Sequence, residues 1–336
     1  MGEQIIAGTL TAVSGSPWTM PATPYSMALT PSGNYLYVST TAGVYVYPVS
    51  SGALGAATEV SQDADALAIQ VDPSGTWLIE ALQATSGGGV TIAAVPLKTS
   101  NGQNNGAEQA VTFSVAGAAL QYGKMAISSD DKYILTALGA GGTMIVSFNA
   151  SAASGTNPIG SSANTVPVAN TSGSAVSVAV DPNLRLFYIG EILGDTAGTS
   201  GGLRVFEYSS IGSGTLVQAS GSPVASGGLA PNAILPVGSG YVYVANGAGT
   251  SAGTINSLSV SGTSGAYSIA TGSKASSGVN PYALAEDGND TFLLAVNQSG
   301  STYFSSYTFA STAGELVDQI FTNNTGTTPI AIVAVP

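Results

Sequence analysis

The sequence predicts an all-β protein made of repeated four-stranded antiparallel sheets, on three observations. The 336 residues include 44 Gly and many Ser, Thr and Asn, which favours short strands joined by tight turns. An apolar strand, a turn and an aromatic strand recur together along the chain without helical periodicity. The aromatic strand returns about every 51 residues, in the range of propeller blades. We therefore predict a seven-bladed β-propeller, formed as a single domain by residues 1–336.

The first complete repeat, residues 23–54, is the template for the others. Its apolar strand SMAL ends in the turn TPSG, and the aromatic strand YLYVS and a third alternating strand follow. Both faces of the apolar strands are hydrophobic, because each blade is covered by a neighbour on either side. The aromatic second strands are predicted to begin at Tyr35, Trp77, Tyr133, Leu186, Tyr241 and Phe292.

The two ends of the chain are predicted to share one blade. Residues 328–336, TPIAIVAVP, match the innermost strand at residues 23–31 and then stop. Near the N-terminus, GTLTAVSGSPW resembles GTLVQASGSPV at residues 214–224, the outermost strand of a repeat. The split blade lacks an aromatic second strand, so it either has three strands or has its missing strand upstream of Glu3. Joining the ends closes the ring and leaves no open sheet edge.

Composition excludes several classes of function. The net charge is −12, with six scattered basic residues, so the clusters of Lys and Arg that nucleic acids or anionic membranes require are missing. The chain has no Cys, which removes thiolate chemistry and Cys-ligated metals, and no His, the usual general base and transition-metal ligand. We expect no metal site and no cofactor.

The same composition bears on location. No apolar run approaches the roughly 20 residues that span a bilayer. A Lys-poor, acidic, Ser/Thr/Gly-rich surface fits an exported bacterial protein, periplasmic, cell-surface or secreted, whose signal or lipoprotein segment is removed upstream of Glu3. We expect a monomer.

The strand endings YVAN (243–246), LAVN (294–297) and YIGE (188–191), with the turns TPSG and DPSG, resemble the YVTN-type bacterial β-propellers. That superfamily includes surface-layer propellers and the seven-bladed lactonase group, similar to 6-phosphogluconolactonase and carboxymuconate cyclase. The resemblance implies a polar funnel on one face, which in the enzymes is associated with His, Arg and Glu. Since this sequence has no His and only Arg185 and Arg204, no catalytic residue can be transferred.

One candidate site is a ring at the starts of the innermost strands, where a propeller channel opens. Its Lys124 is expected to be a structural lysine, extended into a wet channel or paired with Asp65. The alternative is that Lys124 binds an anionic group as a point charge, with hydrogen bonds from Ser177, Asn232 and Tyr282. Aligned by their turns, the ring members are Ser26, Ala68, Lys124, Ser177, Asn232, Tyr282 and Ala331.

A second ring follows the aromatic strands and consists of Thr40, Leu82, Leu138, Glu191, Asn246 and Asn297. The Asn side chains are expected to satisfy backbone groups of turns, and ligand binding is the alternative. Glu191 is expected to form a salt bridge with Arg204, or else to act as a general acid or base. Glu80 on the second aromatic strand must be hydrogen-bonded, paired or protonated, since an isolated buried charge is very costly.

The leading functional hypothesis is an exported, non-catalytic propeller that binds a protein, glycan or small ligand through one face. The alternative is a lactonase-like hydrolase without His, in which Lys124 holds an anionic sugar-acid lactone and Glu191 or Asp65 transfers protons. A third hypothesis is a structural element of the cell envelope.

Overall fold

The structure is a computed structural model that describes residues 2–6, 9–83, 88–153, 155–207, 211, 216–238, 240–310, 314–323 and 328–335. The regular elements of these residues are β-strands, and no α-helix occurs among them. It follows that this part of the chain holds no helix long and apolar enough to cross a membrane.

The strands of the described residues are short, most of them four to eight residues long. In chain order they are β1 (Glu3–Ile6), β2 (Thr9–Ala12), β3 (Pro24–Leu29), β4 (Tyr35–Thr40), β5 (Gly43–Ser50), β6 (Ala53–Leu54), β7 (Thr58–Ser61), β8 (Ala66–Val71), β9 (Trp77–Gln83), β10 (Gly89–Pro96), β11 (Gln109–Ser114), β12 (Met125–Ile127), β13 (Tyr133–Ala137), β14 (Thr143–Phe148), β15 (Ile159–Val166), β16 (Ser174–Val180), β17 (Leu186–Ile192), β18 (Gly202–Glu207), β19 (Val224–Ala225), β20 (Ala230–Val237), β21 (Tyr241–Ala248), β22 (Ser251–Ser261), β23 (Ser268–Glu286), β24 (Phe292–Ser299), β25 (Phe304–Phe309) and β26 (Leu316–Asn323).

The strands within each sheet pair antiparallel with their neighbours in sequence, except that β7 pairs with β5, so each sheet is a meander from an innermost to an outermost strand. The sheets are β3 to β7, β8 to β11, β12 to β15, β16 to β19 and β20 to β26, with β1 and β2 as a separate hairpin. The longest sheet contains two repeats, because β23 pairs with β22 through residues 268–279 and with β24 through residues 279–286. Repeated meanders of this kind are the construction of a β-propeller.

The predicted starts of the aromatic strands are confirmed. Strands β4, β9, β13, β17, β21 and β24 begin at the six predicted residues. The turns before them are held by polar side chains: Asp72 accepts hydrogen bonds from the backbone N–H groups of Ser74, Thr76 and Trp77 at 3.1, 2.8 and 2.6 Å. Asp287 does the same for Thr291 and Phe292 at 2.7 and 2.6 Å. The turn sequence therefore fixes where each second strand starts.

The hydrophobic core lies between the sheets. One cluster joins each consecutive pair, for example Tyr37 and Val46 of the first sheet with Ile69 and Leu78 of the next. The same arrangement continues through the later sheets, and the last cluster joins the two repeats of the longest sheet, which contain β21 and β24. Because the inner strands are covered on both faces, their side chains lose the alternation of a half-exposed sheet.

Both ends of the chain pack against the first sheet. Val333 of the terminal segment and Met20, which follows the N-terminal hairpin, join the cluster formed by Leu36, Val38 and Tyr47. The predicted strand at residues 328–336 is not seen: residues 328–335 run without strand pairing, and Pro336 lies outside the described residues. A strand needs an adjacent backbone to pair with, and the sequence supplies no aromatic second strand for this repeat.

The two GSP segments adopt the same local backbone. Ser16–Pro17 and Ser222–Pro223 are both cis peptide bonds. The later copy pairs with β18 through Leu203 and Val224, as expected for an outermost strand. Residues 214 and 215 of that copy lie outside the described residues.

Candidate functional site

A cavity of about 350 Å³ lies where the innermost strands converge. It is lined by residues of β3, β8, β12, β16, β20 and β23 and by residues 330–333 of the terminal segment. Of its lining residues only Lys124 carries an ionisable basic or acidic side chain. The chain end thus occupies one sector of the wall, beside the same first sheet that Val333 packs against.

Lys124 closes one end of this cavity. It follows a turn in which Gly123 has a φ of +66°, a conformation that glycine adopts without steric cost. The lysine is only 7% exposed. Its Nζ donates a hydrogen bond to the Tyr282 carbonyl oxygen at 2.8 Å and lies 4.1 Å from the centroid of the Tyr282 ring. Since Lys124 precedes β12 and Tyr282 belongs to β23, the side chain bridges two sheets that are far apart in sequence.

The environment of Lys124 favours its neutral form. Burial lowers the pKa of its amine to about 7. The ammonium form loses its hydration on burial, and the hydrogen bond to one carbonyl oxygen and the contact with one aromatic ring do not compensate for that loss. None of the ion pairs in the described part of the chain includes Lys124. The expected pairing with Asp65 is not found there. Asp65 accepts a hydrogen bond from Tyr25 instead, and that bond is the main reason that the pKa of Tyr25 is raised.

The other polar members of the first ring link adjacent innermost strands. The Ser26 hydroxyl accepts a hydrogen bond from Ile69 N–H at 3.3 Å, and the Ser177 hydroxyl donates to the Pro231 carbonyl. Asn232 Nδ2 donates to the Pro281 carbonyl oxygen at 2.9 Å. Ser26, Lys124, Ser177 and Ala331 line the cavity, whereas Ala68, Asn232 and Tyr282 do not. Some ring members therefore line the cavity, and the polar members also link neighbouring innermost strands.

Three tyrosines form a cluster that contacts Lys124 through Tyr282. The rings of Tyr25 and Tyr122 have centroids 5.4 Å apart, and the Tyr282 hydroxyl donates to the Tyr122 carbonyl oxygen at 3.3 Å. Tyr122 is 44% exposed, so part of this residue is open to solvent. Neither Tyr25 nor Tyr122 is among the site residues predicted from the sequence, although each stands within two residues of a ring member.

The second ring lies at the same face but is taken up by structural contacts. The predicted salt bridge is confirmed: Arg204 Nη1 donates to Glu191 Oε1 at 3.1 Å. Ala169 N–H donates to the other carboxylate oxygen at 2.9 Å. Asn246 donates to the Ser226 and Val244 carbonyls, and Asn297 bonds to Ser277 and Ser305. These three ring members are at most 1% exposed, and none of them lines the cavity.

Glu80 is fully buried on β9 and has local partners, as its position requires. Its Oε2 accepts a hydrogen bond from the Ser61 hydroxyl at 3.2 Å. Burial raises its pKa well above the usual value, and the nearby carboxylates of Asp63 and Glu108 add to that rise. Burial also raises the pKa of Asp63, while its hydrogen bond with Glu80 acts in the opposite direction. Glu80 is therefore the carboxyl that keeps the proton.

Among the described residues, neither carboxylate predicted for proton transfer is paired with Lys124. Glu191 is neutralised by Arg204. Among those residues, no group of three or more acidic side chains is placed to hold a metal ion. The open groups at the mouth are aromatic faces, hydroxyls and one buried amine.

No protein-family model matches the chain, and no curated protein matches it by sequence. Its fold resembles several solved propellers. Pseudomonas aeruginosa periplasmic gluconolactonase, PpgL, has 16% identity and a TM-score of 0.65, over 98% of this chain and 91% of that one. A putative 6-phosphogluconolactonase from Bacteroides fragilis has 14% identity and a TM-score of 0.65, over 92% and 86%.

The β-propeller domain of Cps50 (Swd1) from Myceliophteria thermophila is similar too, with 13% identity and a TM-score of 0.61 over 96% of this chain and 93% of that one. Lactonase-like propellers and a propeller of another kind therefore match to a similar degree. At these identities the likeness shows a β-propeller fold, and the choice of function depends on the site.

Proposed function

We propose that the chain is an exported, seven-bladed propeller that binds a small neutral saccharide, or the end of a glycan, at the Lys124 mouth without catalysing a reaction. The observation that carries this proposal is the cluster of Tyr25, Tyr122 and Tyr282, which contacts Lys124 through Tyr282. Aromatic faces pack against the C–H faces of sugar rings, and carbonyls and hydroxyls at the rim exchange hydrogen bonds with sugar hydroxyls.

The seven-bladed ring is inferred from the cavity wall. Six innermost strands and the terminal segment contribute to that wall, and the segment takes the seventh place in the absence of a sheet of its own. The N-terminal segment, whose Met20 packs against the first sheet, then supplies the outer strands of the split blade. Export is inferred from the Lys-poor, acidic, Ser/Thr/Gly-rich composition.

A neutral ligand fits better than an anion. The amine of Lys124 has a pKa of about 7, so it is about half charged at pH 7. The net charge of −12 repels anions at long range. This charge balance weakens the lactonase-like alternative, which needs Lys124 as a cation for an anionic substrate and a free carboxylate beside it.

Thermal-shift measurements with neutral saccharides and sugar acids test the proposal. We expect at least one neutral saccharide to raise Tm in the wild type. Tyr122→Ala removes the ring of this partly exposed tyrosine and should abolish this rise, whereas Val317→Ala, a change at a 46%-exposed residue on the outer strand β26, should retain it.

Two results would contradict the proposal. One is the absence of any shift across the neutral saccharides with the wild type. The other is lactone hydrolysis above background that disappears in Lys124→Ala, which would support the hydrolase alternative instead.

A further inference from the structure

The amine of Lys124 differs from every other lysine of the chain in its surroundings. Lys98, Lys132 and Lys274 are exposed, whereas Lys124 is 7% exposed and faces a cavity. One carbonyl oxygen, at 2.8 Å, accepts one of its protons, and no ion pair in the described residues holds it. No salt bridge among the described residues therefore stabilises the protonated form, in which the amine has no free lone pair.

The groups that face this amine carry little charge. Tyr282 on β23 contacts the amine, and burial and Tyr122 raise the pKa of the Tyr282 phenol to about 12. Tyr122, Ser26 of β3 and Ser177 of β16 line the same cavity, and Tyr25 packs against Tyr122. The remaining lining residues of the cavity are apolar or neutral, such as Met27 and Gln70. An ammonium in this place is not stabilised by a counter-ion, and burial shifts the pKa of Lys124 to about 7.

We propose that Lys124 is a carbonyl-reactive amine that captures small uncharged aldehydes entering the cavity. The Nζ lone pair attacks the carbonyl carbon and forms a C–N bond, and the carbonyl oxygen takes up a proton to give a carbinolamine. Loss of water, which carries away that oxygen and both amine protons, leaves an imine. A desolvated lysine in an apolar pocket is the environment in which such amines become nucleophilic near neutral pH.

The cavity selects the class of carbonyl compound. Its volume of about 350 Å³ admits molecules of a few carbon atoms alongside the lysine. An aldehyde that carries a carboxylate meets a wall with no fixed cation and a protein of net charge −12. Uncharged hydroxyaldehydes can instead place their hydroxyls near Ser26 and Ser177.

Reductive labelling of the intact protein tests this inference. The protein is incubated with glycolaldehyde and cyanoborohydride at pH 7, cut with chymotrypsin and analysed by mass spectrometry. At this pH an ordinary lysine is neutral in only about one molecule in 2,500, whereas about half of Lys124 is neutral. Even a small part of this difference in the neutral fraction would make Lys124 react selectively. We expect Lys124 to be labelled at least tenfold faster than Lys98, Lys132 and Lys274, which serve as internal controls.

The pH dependence of the labelling rate and one variant test whether the lowered pKa of the amine causes the selective labelling. The rate at Lys124 should level off above about pH 7, while the rates at the exposed lysines keep rising to pH 9. Tyr282→Ala admits water to the amine and should reduce the selectivity toward that of the exposed lysines. Glyoxylate, the anionic probe, should label Lys124 more slowly than glycolaldehyde.

The inference is overturned if Lys124 is labelled no faster than the exposed lysines, or only after unfolding in urea, since the amine would then be inaccessible. Faster labelling by glyoxylate would overturn the choice of uncharged aldehydes. None of these readouts depends on saccharide binding, so the inference and the proposed function can fail separately.

Discussion

At the scale of single residues, two ionisable side chains are buried away from water, and their protonation states change as a result. Lys124 and Glu80 are both buried away from a compensating opposite charge. Desolvation disfavours the charged form of each, which lowers the pKa of the amine and raises that of the carboxyl. Two residues that a sequence reader would count as a cation and an anion therefore tend towards neutrality in the folded protein.

Glu80 gives a pH-dependent prediction. Its folded-state pKa lies above its unfolded value of about 4.5, so its contribution to stability is fully present below that pH and is lost as pH rises. Glu80→Gln mimics the protonated form and keeps a partner for Ser61. We expect the variant to match the wild type at pH 4 and to be more stable at pH 7.5 by about 1–3 kcal/mol, the usual cost of an unsatisfied buried polar group.

Urea unfolding at the two pH values measures this difference. Glu59→Gln, a change at an exposed carboxylate on the neighbouring strand β7, is the matched control and should show no pH-dependent gain. If Glu80→Gln is destabilised equally at both pH values, the proton on Glu80 has no role in stability.

At the scale of strands and turns, the sequence predicts the second strands to the residue. Four of these strands follow a turn whose Asp, Ser or Thr side chain accepts a hydrogen bond from the backbone N–H of the opening residue, as Thr30 does for Tyr35, so turn chemistry and hydrophobic pattern agree. Ring positions are a harder problem. Alignment by turns places Asn232 and Tyr282 in one ring with Ser177, but a shift of one residue in a strand turns the side chain to the other face.

A β-bulge explains this difference. It recurs in β3, β8, β16, β20 and β23, for example between Ala175 and Ser177 and between Pro231 and Ala233. Ser177 follows the bulged residue, whereas Asn232 and Tyr282 are themselves the bulged residues, so Ala233 and Ala283 line the cavity in their place. A pattern of period two cannot reveal a bulge, because the extra residue leaves the hydrophobic sequence on both sides intact. Tyr25 and Tyr122 were missed for a related reason: they lie beside the aligned positions.

The Glu191–Arg204 pair is the element-scale prediction. It ties β17 to β18, and the side chains are only 1% and 14% exposed. Arg204→Met leaves the buried Glu191 carboxylate with one backbone N–H, so we expect a loss of about 3 kcal/mol in the free energy of unfolding. Glu191→Gln keeps an acceptor for Arg204 and should cost less, about 1 kcal/mol.

An exposed pair provides the control. Arg185 and Asp130 form an ion pair at 2.9 Å in which the arginine side chain is 55% exposed. Arg185→Met should cost less than about 1 kcal/mol in the same urea titration. Equal losses for Arg204→Met and Arg185→Met would show that burial of the first pair has no energetic consequence.

At the scale of the whole molecule, stability depends on how the ring closes. Both chain ends reach the first sheet, where Val333 joins the cluster of Leu36, Val38 and Tyr47. Closure by packing of a segment without strand pairing is expected to be weaker than closure by a complete sheet. The sequence indicates which segments meet, because the repeats match, and the missing aromatic second strand explains why residues 328–335 have no strand pairing.

Two valines of the same segment test the closure. Val333→Ala removes packed methyl groups and should lower the free energy of unfolding by about 1–1.5 kcal/mol, or Tm by a few degrees. Val335→Ala, at a side chain that is 43% exposed, should change it by less than about 0.5 kcal/mol. Equal effects of the two substitutions, measured by calorimetry, would contradict closure through Val333.

The continuous strand β23 has a consequence for how such a protein can change over evolutionary time. Its 19 residues form the outer edge of one repeat and the inner edge of the next without an intervening loop. Duplication or deletion of a blade needs a boundary at which the chain can be cut and rejoined, and loops offer that boundary elsewhere in the ring. Here a cut would fall inside a hydrogen-bonded strand, so these two repeats are expected to be inherited as an indivisible pair.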